Sequence, residues 1–525
     1  MRRRFLWGMI VVLLVLFGLY HWVSNGDTLP SWKAEEKSTS LSSGHYDVAI
    51  IGGGIGGLTS GALLAKNGYK VVIVERNPTI GGFCAKHTEG GFTFGYGAGD
   101  IDGIWERGPL TYLLKQLKLD QKTLFVRNSR RFFVGGSSFD VNGRASFEEA
   151  LSKQFPEEKE AISTFFEKAK IVYEEAYDTT MIDMWGIRIP DDLITTAMPS
   201  EWVEGYTPCH KEYLEWSKKS YQDVLDEHFK SSKLKKVMSS FLRHLGGLPV
   251  RTRASEAVVH TFGYFFFGGY HALETPYHFA KTLSTYITNH GGTIVTNTTV
   301  DTILVEHEAV KGIQSGKRTF YAPTVISNVN AKTTYLDLVD EALSSEFLKS
   351  INQIPLGRSA FALYLGIDAD LSAYPSILQD RDNQIFISNK SKNDPTLAPK
   401  GKSAIVLRES ARIGDFMGKN PTQYKKYVQR RSEALLEKGV ALMPELLGRI
   451  SFKTVKTPMD FEAMVAMPQG AVYGFDLAKA FLWPHFKSPI RGLYLVGASS
   501  GGPGVKAVVS NGILCVHDIM GWKKK

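Results

Sequence analysis

The sequence predicts an α/β fold in which a Rossmann-like nucleotide-binding domain is interrupted by an α+β domain with a helical cap and is preceded by one apolar helix. Three observations lead to this prediction. A strand, a glycine turn and a helix follow one another near the amino terminus, a second block of the same kind closes the chain, and an uncharged apolar segment precedes both. A chain of 525 residues also suggests two or three compact units rather than one core.

The apolar segment covers residues 5–23 (FLWGMIVVLLVLFGLYHWV) and carries no formal charge. As a helix rising about 1.5 Å per residue it would span about 28 Å, enough to cross a bilayer core. We expect residues 1–26 to be a single-pass membrane anchor, with a cleaved signal peptide, of twin-arginine type, as the alternative. Because basic flanks stay cytoplasmic, the folded part would lie on the lumenal or periplasmic side, behind a polar tether over residues 27–44, or would be peripheral after cleavage.

The first glycine turn predicts a site for a nucleotide diphosphate. An apolar strand over Val48–Ile51 runs into Gly52, Gly54 and Gly57, and a helical pattern then continues to Lys66. In this motif the first glycine permits the tight turn, the second lets the backbone approach a pyrophosphate, and the third lets the helix pack on the strand. The diphosphate would then lie at the helix amino terminus, where free N–H groups and the helix dipole favour negative charge.

The next strand adds an acidic residue to this motif. Val71–Val74 ends in Glu75, whose carboxylate is placed to accept hydrogen bonds from a ribose diol and would repel a 2′-phosphate. We assign the following Arg76 to the same site, together with the glycine pair Gly81 and Gly82. The alternative is an ordinary NAD-type unit in which that glycine pair is only a turn.

The spacing of Glu75, Gly81 and Gly82 after the first motif resembles the extended signature of the FAD-dependent phytoene desaturase, carotenoid isomerase and all-trans-retinol saturase family, within the amine oxidase-like flavoproteins. The resemblance covers nearly everything from Tyr46 to Asp518 and implies FAD as the cofactor. It also implies further cofactor contacts: the backbone of Val300 at the adenosine, and Gly497, Gly504 and Val505 in the closing block at the flavin ring. A helix dipole there would stabilise the negative charge of reduced flavin.

The same resemblance divides the chain into interleaved segments. Residues 45–130, 276–335 and 457–525 would form the FAD-binding domain, while 131–275 and 336–456 would form the substrate domain and cap. Local patterns predict the main elements of these segments: a helix over 109–119, a hairpin over 131–141, helices through 146–245, a helix over 276–289, strands over 359–368 and 404–407, and a helix over 424–443. The apolar stripe within residues 220–245 indicates core packing, with a membrane-facing role as the alternative.

Two aromatic segments stand apart from the nucleotide motif. Gly90–Gly99 (GGFTFGYGAG) predicts either a loop passing near a flat ring or a glycine-rich hairpin. His260–His271 (HTFGYFFFGGYH) supplies two candidate proton donors, its first and last residues, although a lone histidine is more often packed in a core. The chain has Glu274, Thr275 and Pro276 where members of the family that it resembles commonly carry a second glycine pair.

The function implied by the resemblance is FAD-dependent oxidoreduction of a long apolar isoprenoid or polyene of the carotenoid or retinoid type, by desaturation, saturation or cis–trans isomerisation. Hydride would pass between a substrate carbon and the flavin in a dry apolar tunnel. Two alternatives stay open: an amine or porphyrinogen oxidase, which would need an aromatic cage or a lysine near the flavin, and a non-catalytic prenyl-lipid carrier of the Rab escort and GDI type. The pattern identifies neither the catalytic acid or base nor the electron partner.

Composition excludes several other classes of function. Three cysteines, Cys84, Cys209 and Cys515, are too few and too scattered for a disulfide framework or a cysteine metal site, and we expect no metal. The net charge of +9 has no accompanying basic and aromatic stripe, so nucleic acid is not an expected partner. The positive charge suits contact with an anionic membrane surface, where a lipid-like substrate would also be found.

Overall fold

The computed structural model describes residues 43–97, 99–106, 108–175, 211–242, 248–339, 343–502 and 504–521. The predicted membrane or signal segment over 5–23, nearly all of the tether and Cys209 lie outside these ranges. Within them, no helix is both long enough and apolar enough to cross a bilayer. Cys84 and Cys515 are buried, unpaired thiols, as a packing role requires.

The described chain contains strands in two main sheets and three small ones. In chain order the strands are β1 (Gly44–His45), β2 (Val48–Ile51), β3 (Val71–Val74), β4 (Lys86–Glu89), β5 (Phe92–Gly95), β6 (Phe125–Arg127), β7 (Arg130–Val134), β8 (Ser137–Asp140), β9 (Tyr270–Ala272), β10 (Thr293–Val295), β11 (Thr302–Glu306), β12 (Ala309–Ser315), β13 (Arg318–Tyr321), β14 (Thr324–Ser327), β15 (Ser359–Ile367), β16 (Ile377–Asp380), β17 (Ile385–Asn389), β18 (Ser403–Ala411), β19 (Ile450–Lys456) and β20 (Leu493–Leu495).

The helices cover the faces of these sheets and form a separate layer. In chain order they are α1 (Ile55–Lys66), α2 (Pro109–Leu117), α3 (Arg144–Gln154), α4 (Lys159–Glu175), α5 (Lys211–Ser217), α6 (Tyr221–His228), α7 (Ser232–Ser240), α8 (Ala254–Thr261), α9 (Gly263–Phe266), α10 (Pro276–Asn289), α11 (Ser345–Gln353), α12 (Pro421–Leu442), α13 (Pro458–Val465) and α14 (Gly504–Ile519).

A five-stranded parallel sheet in the order β10-β3-β2-β14-β20 forms the predicted nucleotide-binding unit. Its strands are continuous apolar runs because both faces are covered. Ile50 and Ile73 point to the side that packs against α1, α10 and α14. Ala49 and Val72 point to the opposite side, toward the four-stranded sheet in the order β1-β13-β12-β11. The α/β prediction is confirmed for this part of the chain.

A seven-stranded mixed sheet in the order β19-β15-β18-β17-β16-β7-β8 joins two segments that are far apart in sequence. The predicted hairpin supplies β7 and β8, and β7 pairs in parallel with β16. One face of the sheet, with Phe361 and Leu363 of β15, packs against α12. The other face carries Ala362 and Tyr364 and contacts the small hairpin formed by β4 and β5.

The third layer is helical and contains α3 to α9 over one large apolar core. The stripe within residues 220–245 belongs to this core, so the packing interpretation is correct and the membrane-facing one is wrong. Its members are all at most 2% exposed: Val224, Leu225, Phe229, Leu234, Val237, Met238, Phe241 and Leu242. The predicted helix over 276–289 is observed with the same bounds, and the one over 109–119 ends two residues earlier than expected.

The junction before α10 has two residues with positive φ at the place where a glycine pair was expected. Glu274 and Thr275 have φ values of +55° and +87°, in the left-handed region that glycine favours. Glu274 is held there by its N–H, which donates to the Asp394 carboxylate at 2.6 Å. The backbone therefore has the conformation that a glycine pair would adopt, although the residues are different.

Candidate functional site

The first glycine turn has the geometry that its motif predicts. Gly52 has a φ of +91°, and its N–H donates to the carbonyl oxygen of Val74 at 2.8 Å. At Gly57, a Cβ atom would overlap the carbonyl oxygen of Gly52 and lie 3.1 Å from Cγ2 of Ile50. Only glycine allows α1 to lie this close to β2. Gly54 is the residue that caps α1, so the unpaired N–H groups of the first helical turn open beside it.

Glu75 is buried beside this turn, with 6% of its surface exposed. Its carboxylate accepts hydrogen bonds from the N–H of Gly53 and from the N–H of Asn77, both at 2.8 Å. Burial raises the pKa of Glu75 above its usual value, and the two backbone hydrogen bonds act in the opposite direction. The carboxylate thus ties the end of β3 to the glycine turn and retains oxygen lone pairs for a ligand hydroxyl.

The second glycine pair lies directly on the first turn. Gly81 and Gly82 have φ values of +109° and +56°, and the Gly81 N–H donates to the carbonyl oxygen of Gly53 at 2.8 Å. A Cβ atom at Gly82 would lie 3.6 Å from Cα of Gly54. The pair is therefore a turn, as the NAD-type alternative has it. It also lies against the first glycine turn, and we call Gly52, Gly54, Gly57, Gly81 and Gly82 at the start of α1 the glycine cradle.

Val300 and Arg76, the two other residues predicted near the end of β3, differ in burial and in their contacts. Val300 is buried under this end of the sheet, and the nearby Thr298 N–H donates to the carbonyl oxygen of Glu75 at 2.9 Å. Arg76 is exposed, and its guanidinium donates to the carbonyl oxygen of Ala463 in α13 at 2.7 Å. Val300 thus shares the Glu75 neighbourhood, whereas the Arg76 side chain is held by the closing part of the chain.

The closing block returns to the same place. Gly497 has a φ of +97°, and its N–H donates to Oδ1 of Asn511 in α14 at 3.1 Å. Gly504, with a φ of +85°, begins α14, and Val505 follows it half-buried. Ser60 of α1 reaches the carbonyl oxygen of Gly512 at 3.4 Å. A Cβ atom at Gly56, in the first turn of α1, would lie 3.1 Å from the nitrogen of Gly497 and 3.2 Å from Cγ1 of Val508, so the helices from opposite ends of the chain pack together at this turn.

Asn328, directly after β14, joins these parts, and the sequence analysis did not assign it a role. Its Nδ2 donates to the carbonyl oxygen of Gly52 at 3.3 Å. Cβ atoms at Gly54, Gly56 and Gly497 would lie 2.6, 2.5 and 2.9 Å from its amide group. One side chain therefore explains three glycines. The available signal was its position at the carboxyl end of a central parallel strand, where ligands of such sheets bind.

The segment after the small hairpin links the glycine cradle to the seven-stranded sheet. The N–H of Gly97 donates to the carbonyl oxygen of Phe83 at 3.0 Å, and its own carbonyl oxygen accepts from Arg408 at 2.8 Å. The carbonyl oxygen of Tyr96 accepts from the hydroxyl of Tyr364 at 2.8 Å. Residues 92–95 thus form one strand of a hairpin, as one alternative predicted, and Tyr96 and Gly97 link this hairpin to Phe83 and to the seven-stranded sheet. The passage of this segment near a flat ring stays a prediction.

Buried charges surround the start of α14. Lys506 forms an ion pair with Asp102 at 2.9 Å, and its Nζ also lies 3.1 Å from the hydroxyl of Tyr173. Asp100 pairs with Arg130 in the same region, and both side chains are nearly inaccessible. No pattern in the sequence could reveal these pairs, because their members are up to about 400 residues apart and meet only through the fold.

The candidate proton donor His271 is 3% exposed, and burial and then the nearby Lys390 lower its pKa to about 3. A neutral imidazole at physiological pH does not act as a cationic acid, so the packing interpretation is the better one for His271. The side chain of the other candidate, His260, lies outside the described residues.

The geometry defines a class of protein, one with a glycine-lined turn at a helix amino terminus of the kind that binds a nucleotide cofactor. The chain belongs to the family described as flavin containing amine oxidoreductase, which matches residues 55–520. It is therefore a flavin-dependent oxidoreductase, and the predicted family resemblance is confirmed.

Three relatives are similar to the chain over nearly its whole length. The chain is 24% identical to the all-trans-retinol 13,14-reductase of Rattus norvegicus over 90% of its length and 85% of that protein's. It is 25% identical to prolycopene isomerase 2, chloroplastic, of an Oncidium hybrid cultivar, over 91% and 85%. It is 24% identical to the 4,4'-diaponeurosporene oxygenase of Staphylococcus aureus (strain MW2), over 89% and 96%.

Solved structures show the same fold at lower identity. An oxidoreductase from Methanosarcina mazei superposes with a TM-score of 0.63 at 21% identity, covering 90% of this chain and all of that one. Rab GDI from Plasmodium falciparum superposes with a TM-score of 0.52 at 13% identity, covering 92% of this chain and all of that one. These likenesses establish the architecture and leave the substrate to other arguments.

Proposed function

We propose that the flavin is FAD and that the protein exchanges hydride with a long polyene or isoprenoid of the carotenoid or retinoid type. The observation that carries the FAD assignment is that the start of α1 lies between the buried Glu75 carboxylate, which accepts from the Gly53 N–H at 2.8 Å, and Val508 of α14, 3.2 Å from a Cβ position at Gly56. This arrangement offers a diphosphate site, a ribose acceptor and a ring site in one continuous cradle. The three relatives named above act, by their names, on retinol, prolycopene and diaponeurosporene.

Each part of the cradle would hold one part of the cofactor. The N–H groups after Gly54 would bind the diphosphate, Glu75 would accept from the ribose, and the backbone beside Val300 would contact the adenosine. Gly504 and Val505 would place the α14 dipole at the ring. When bound, FAD supplies a hydride acceptor or donor, and the chain supplies orientation and exclusion of water. We infer the predicted domain division, with residues 45–130, 276–335 and 457–525 building this cradle.

We also propose a membrane setting. The apolar segment over 5–23 would anchor the chain in the bilayer that dissolves the substrate, with the folded part on the lumenal or periplasmic side. Deleting residues 1–26 should then move the protein from the membrane pellet to the supernatant. Complete retention in the pellet would show that a second surface binds the membrane.

The purified protein should carry FAD, seen as flavin absorbance and identified by mass after release. Gly54→Val should abolish this absorbance, because a side chain there would press on the Asn328 amide, 2.6 Å from the Cβ position, and fill the diphosphate site. Gly414→Val is the matched control, since a Cβ at Gly414 has no neighbour within 4 Å. Normal FAD content in the Gly54 variant would contradict the cradle assignment.

The substrate class requires a separate test. Lipids extracted from a polyene-producing host that expresses the protein should show a changed pigment profile on chromatography, with one polyene consumed and another formed. The Gly54→Val variant provides the inactive control. An unchanged profile with the FAD-loaded protein would contradict the polyene proposal and favour an amine or porphyrinogen substrate, for which the buried lysines near the cradle are the relevant observation.

A further inference from the structure

One face of the seven-stranded sheet carries an unexpected group of cations. Paired residues of neighbouring strands share a face, and residues two apart along a strand do so as well. Arg408 of β18 pairs with Phe386 of β17, so the alternation puts Lys390, just past the end of β17, on the same face. Arg130 of β7 reaches this face through its pairing with Ile377 of β16.

Two of these cations, Lys390 and Arg408, lie beside Gly99, which follows the hairpin of β4 and β5 in the chain. A Cβ atom at Gly99 would overlap Nζ of Lys390 and would lie 3.4 Å from a terminal nitrogen of Arg408. Lys390 is only 6% exposed. Two like charges therefore lie close together in a dry place, which is unfavourable unless a negative group joins them.

The surrounding acids do not balance this pair. Asp100 is bound to Arg130 and accepts from Asn128 at 2.9 Å. Among the residues that the structure describes, Lys390 and Arg408 form no ion pair. Arg408 donates one N–H to the Gly97 carbonyl oxygen at 2.8 Å and one to the Ser388 hydroxyl at 3.5 Å, two of the five N–H groups of a guanidinium.

Among the described residues, the other titratable groups near the pair also form no ion pair with either cation. Asp394 is occupied by the N–H groups of Glu274 and Thr396, at 2.6 and 3.1 Å. His271 is neutral. Burial first, and then Arg408, lower the pKa of Lys390 to about 7, against an opposing effect of Asp100.

We propose that Lys390 and Arg408 form a binding site for a carboxylate at the end of the substrate. This proposal rests on the proposed function, since it names the polar end of the same polyene. Arginine offers a planar pair of donors that matches a carboxylate, and a lysine adds a second charge. Phe386, over which the Arg408 guanidinium lies at 4.7 Å, gives the site an apolar wall suited to the adjoining hydrocarbon.

The experiment compares two probes with the same polyene, all-trans-retinoic acid and all-trans-retinol, by the change in flavin absorbance when they are titrated into the FAD-loaded protein. The acid should bind at least about ten-fold more tightly at pH 7, and Lys390→Met should remove this preference. Lys402→Met is the matched control, because Lys402 is partly exposed and pairs with Asp368 at 2.6 Å. Its preference should equal that of the unaltered protein.

Calorimetry gives a second, independent reading. A bound carboxylate raises the pKa of Lys390, so binding of the acid at pH 8 should take up protons, measured by comparing buffers with different heats of ionisation. Retinol should cause no uptake, and neither probe should do so in Lys390→Met.

The outcomes separate the two proposals. Equal affinities for acid and alcohol, or an acid preference that survives in Lys390→Met, would overturn the carboxylate site and leave the polyene proposal standing. Failure of both probes to bind the FAD-loaded protein would overturn the polyene proposal and this one with it. If Lys390→Met loses its FAD, the calorimetric comparison of acid and alcohol in the unaltered protein decides.

Discussion

Replacing Glu75 by alanine should weaken the folded protein before any cofactor is considered. The carboxylate accepts two backbone hydrogen bonds of 2.8 Å, from Gly53 and Asn77, and it is 6% exposed. A hydrogen bond to a charged group contributes about 1.5–3 kcal/mol, so two contribute about 3–6 kcal/mol. Burial outweighs these bonds in setting the pKa of Glu75, which is raised, so most of this gain is offset. The alanine variant loses stability because the N–H groups of Gly53 and Asn77 are left without this acceptor, at about 1–3 kcal/mol each. We expect a net loss of about 3 kcal/mol in the free energy of unfolding.

The assay is urea unfolding of the flavin-free protein, because bound ligand would add its own stabilisation. Asp47→Ala is the control: the Asp47 carboxylate accepts one backbone hydrogen bond, from Lys70 at 2.7 Å, at the surface of the same unit. A Glu75 variant no less stable than the Asp47 variant would refute the view that the carboxylate holds the turn against β3. Flavin affinity, measured on the refolded variants, should fall as well.

Three further changes test separate features of the fold. Gly57→Ala should lower stability by about 1–3 kcal/mol and the flavin content with it, because the new methyl overlaps the Gly52 carbonyl oxygen, whereas Gly414→Ala should change neither. Thr275→Gly should raise the unfolding midpoint, because glycine adopts a φ of +87° without strain, and we expect a gain of about 1 kcal/mol in the free energy of unfolding. A loss of stability in this variant would disprove the strain at Thr275. Burial lowers the pKa of His87 to about 4 in the folded protein. Below pH 6.5 the His87 side chain therefore binds a proton in the unfolded chain but not in the folded one. Stability should therefore fall by about 3 kcal/mol toward pH 4, and less in His87→Phe.

The sequence predicted the parts of the site that depend on neighbours along the chain. The strand before Gly52, the helix that ends at Lys66 and the acid after β3 are local patterns, and each is observed. The helix begins at Ile55, so it already contains Gly57. The seven-stranded sheet was only partly predictable. Its strands come from residues 130–140 and 359–456, and no local pattern states that β7 pairs with β16.

The residues that sequence reasoning missed act through long-range contacts. Asn328 meets Gly54 only because β14 lies beside β2, and Lys506 meets Asp102 only because α14 returns to α1. Similarly, the expected apolar tunnel rested on the family resemblance, which does not reveal that alternation places Arg408 and Lys390 on the face of the sheet toward Gly97 and Gly99. A pattern of alternating residues identifies two faces of a strand, and the packing of the other layers decides which face meets the substrate.

Because the chain shares its fold with Rab GDI, the fold does not distinguish an enzyme from a lipid carrier. The residues of the glycine cradle do. A carrier requires an apolar groove, and nothing in that task requires the glycines at which a Cβ would strike Asn328 or the Gly52 carbonyl oxygen. It also does not require a buried acid such as Glu75, whose desolvation lowers the stability of the fold unless a ligand or the backbone compensates it. In this chain the glycines and the acid lie together at the start of α1, where the Gly53 N–H donates to Glu75. A dinucleotide would use both, the helix amino terminus for its diphosphate and the acid for its ribose, so the geometry favours the enzyme over the carrier.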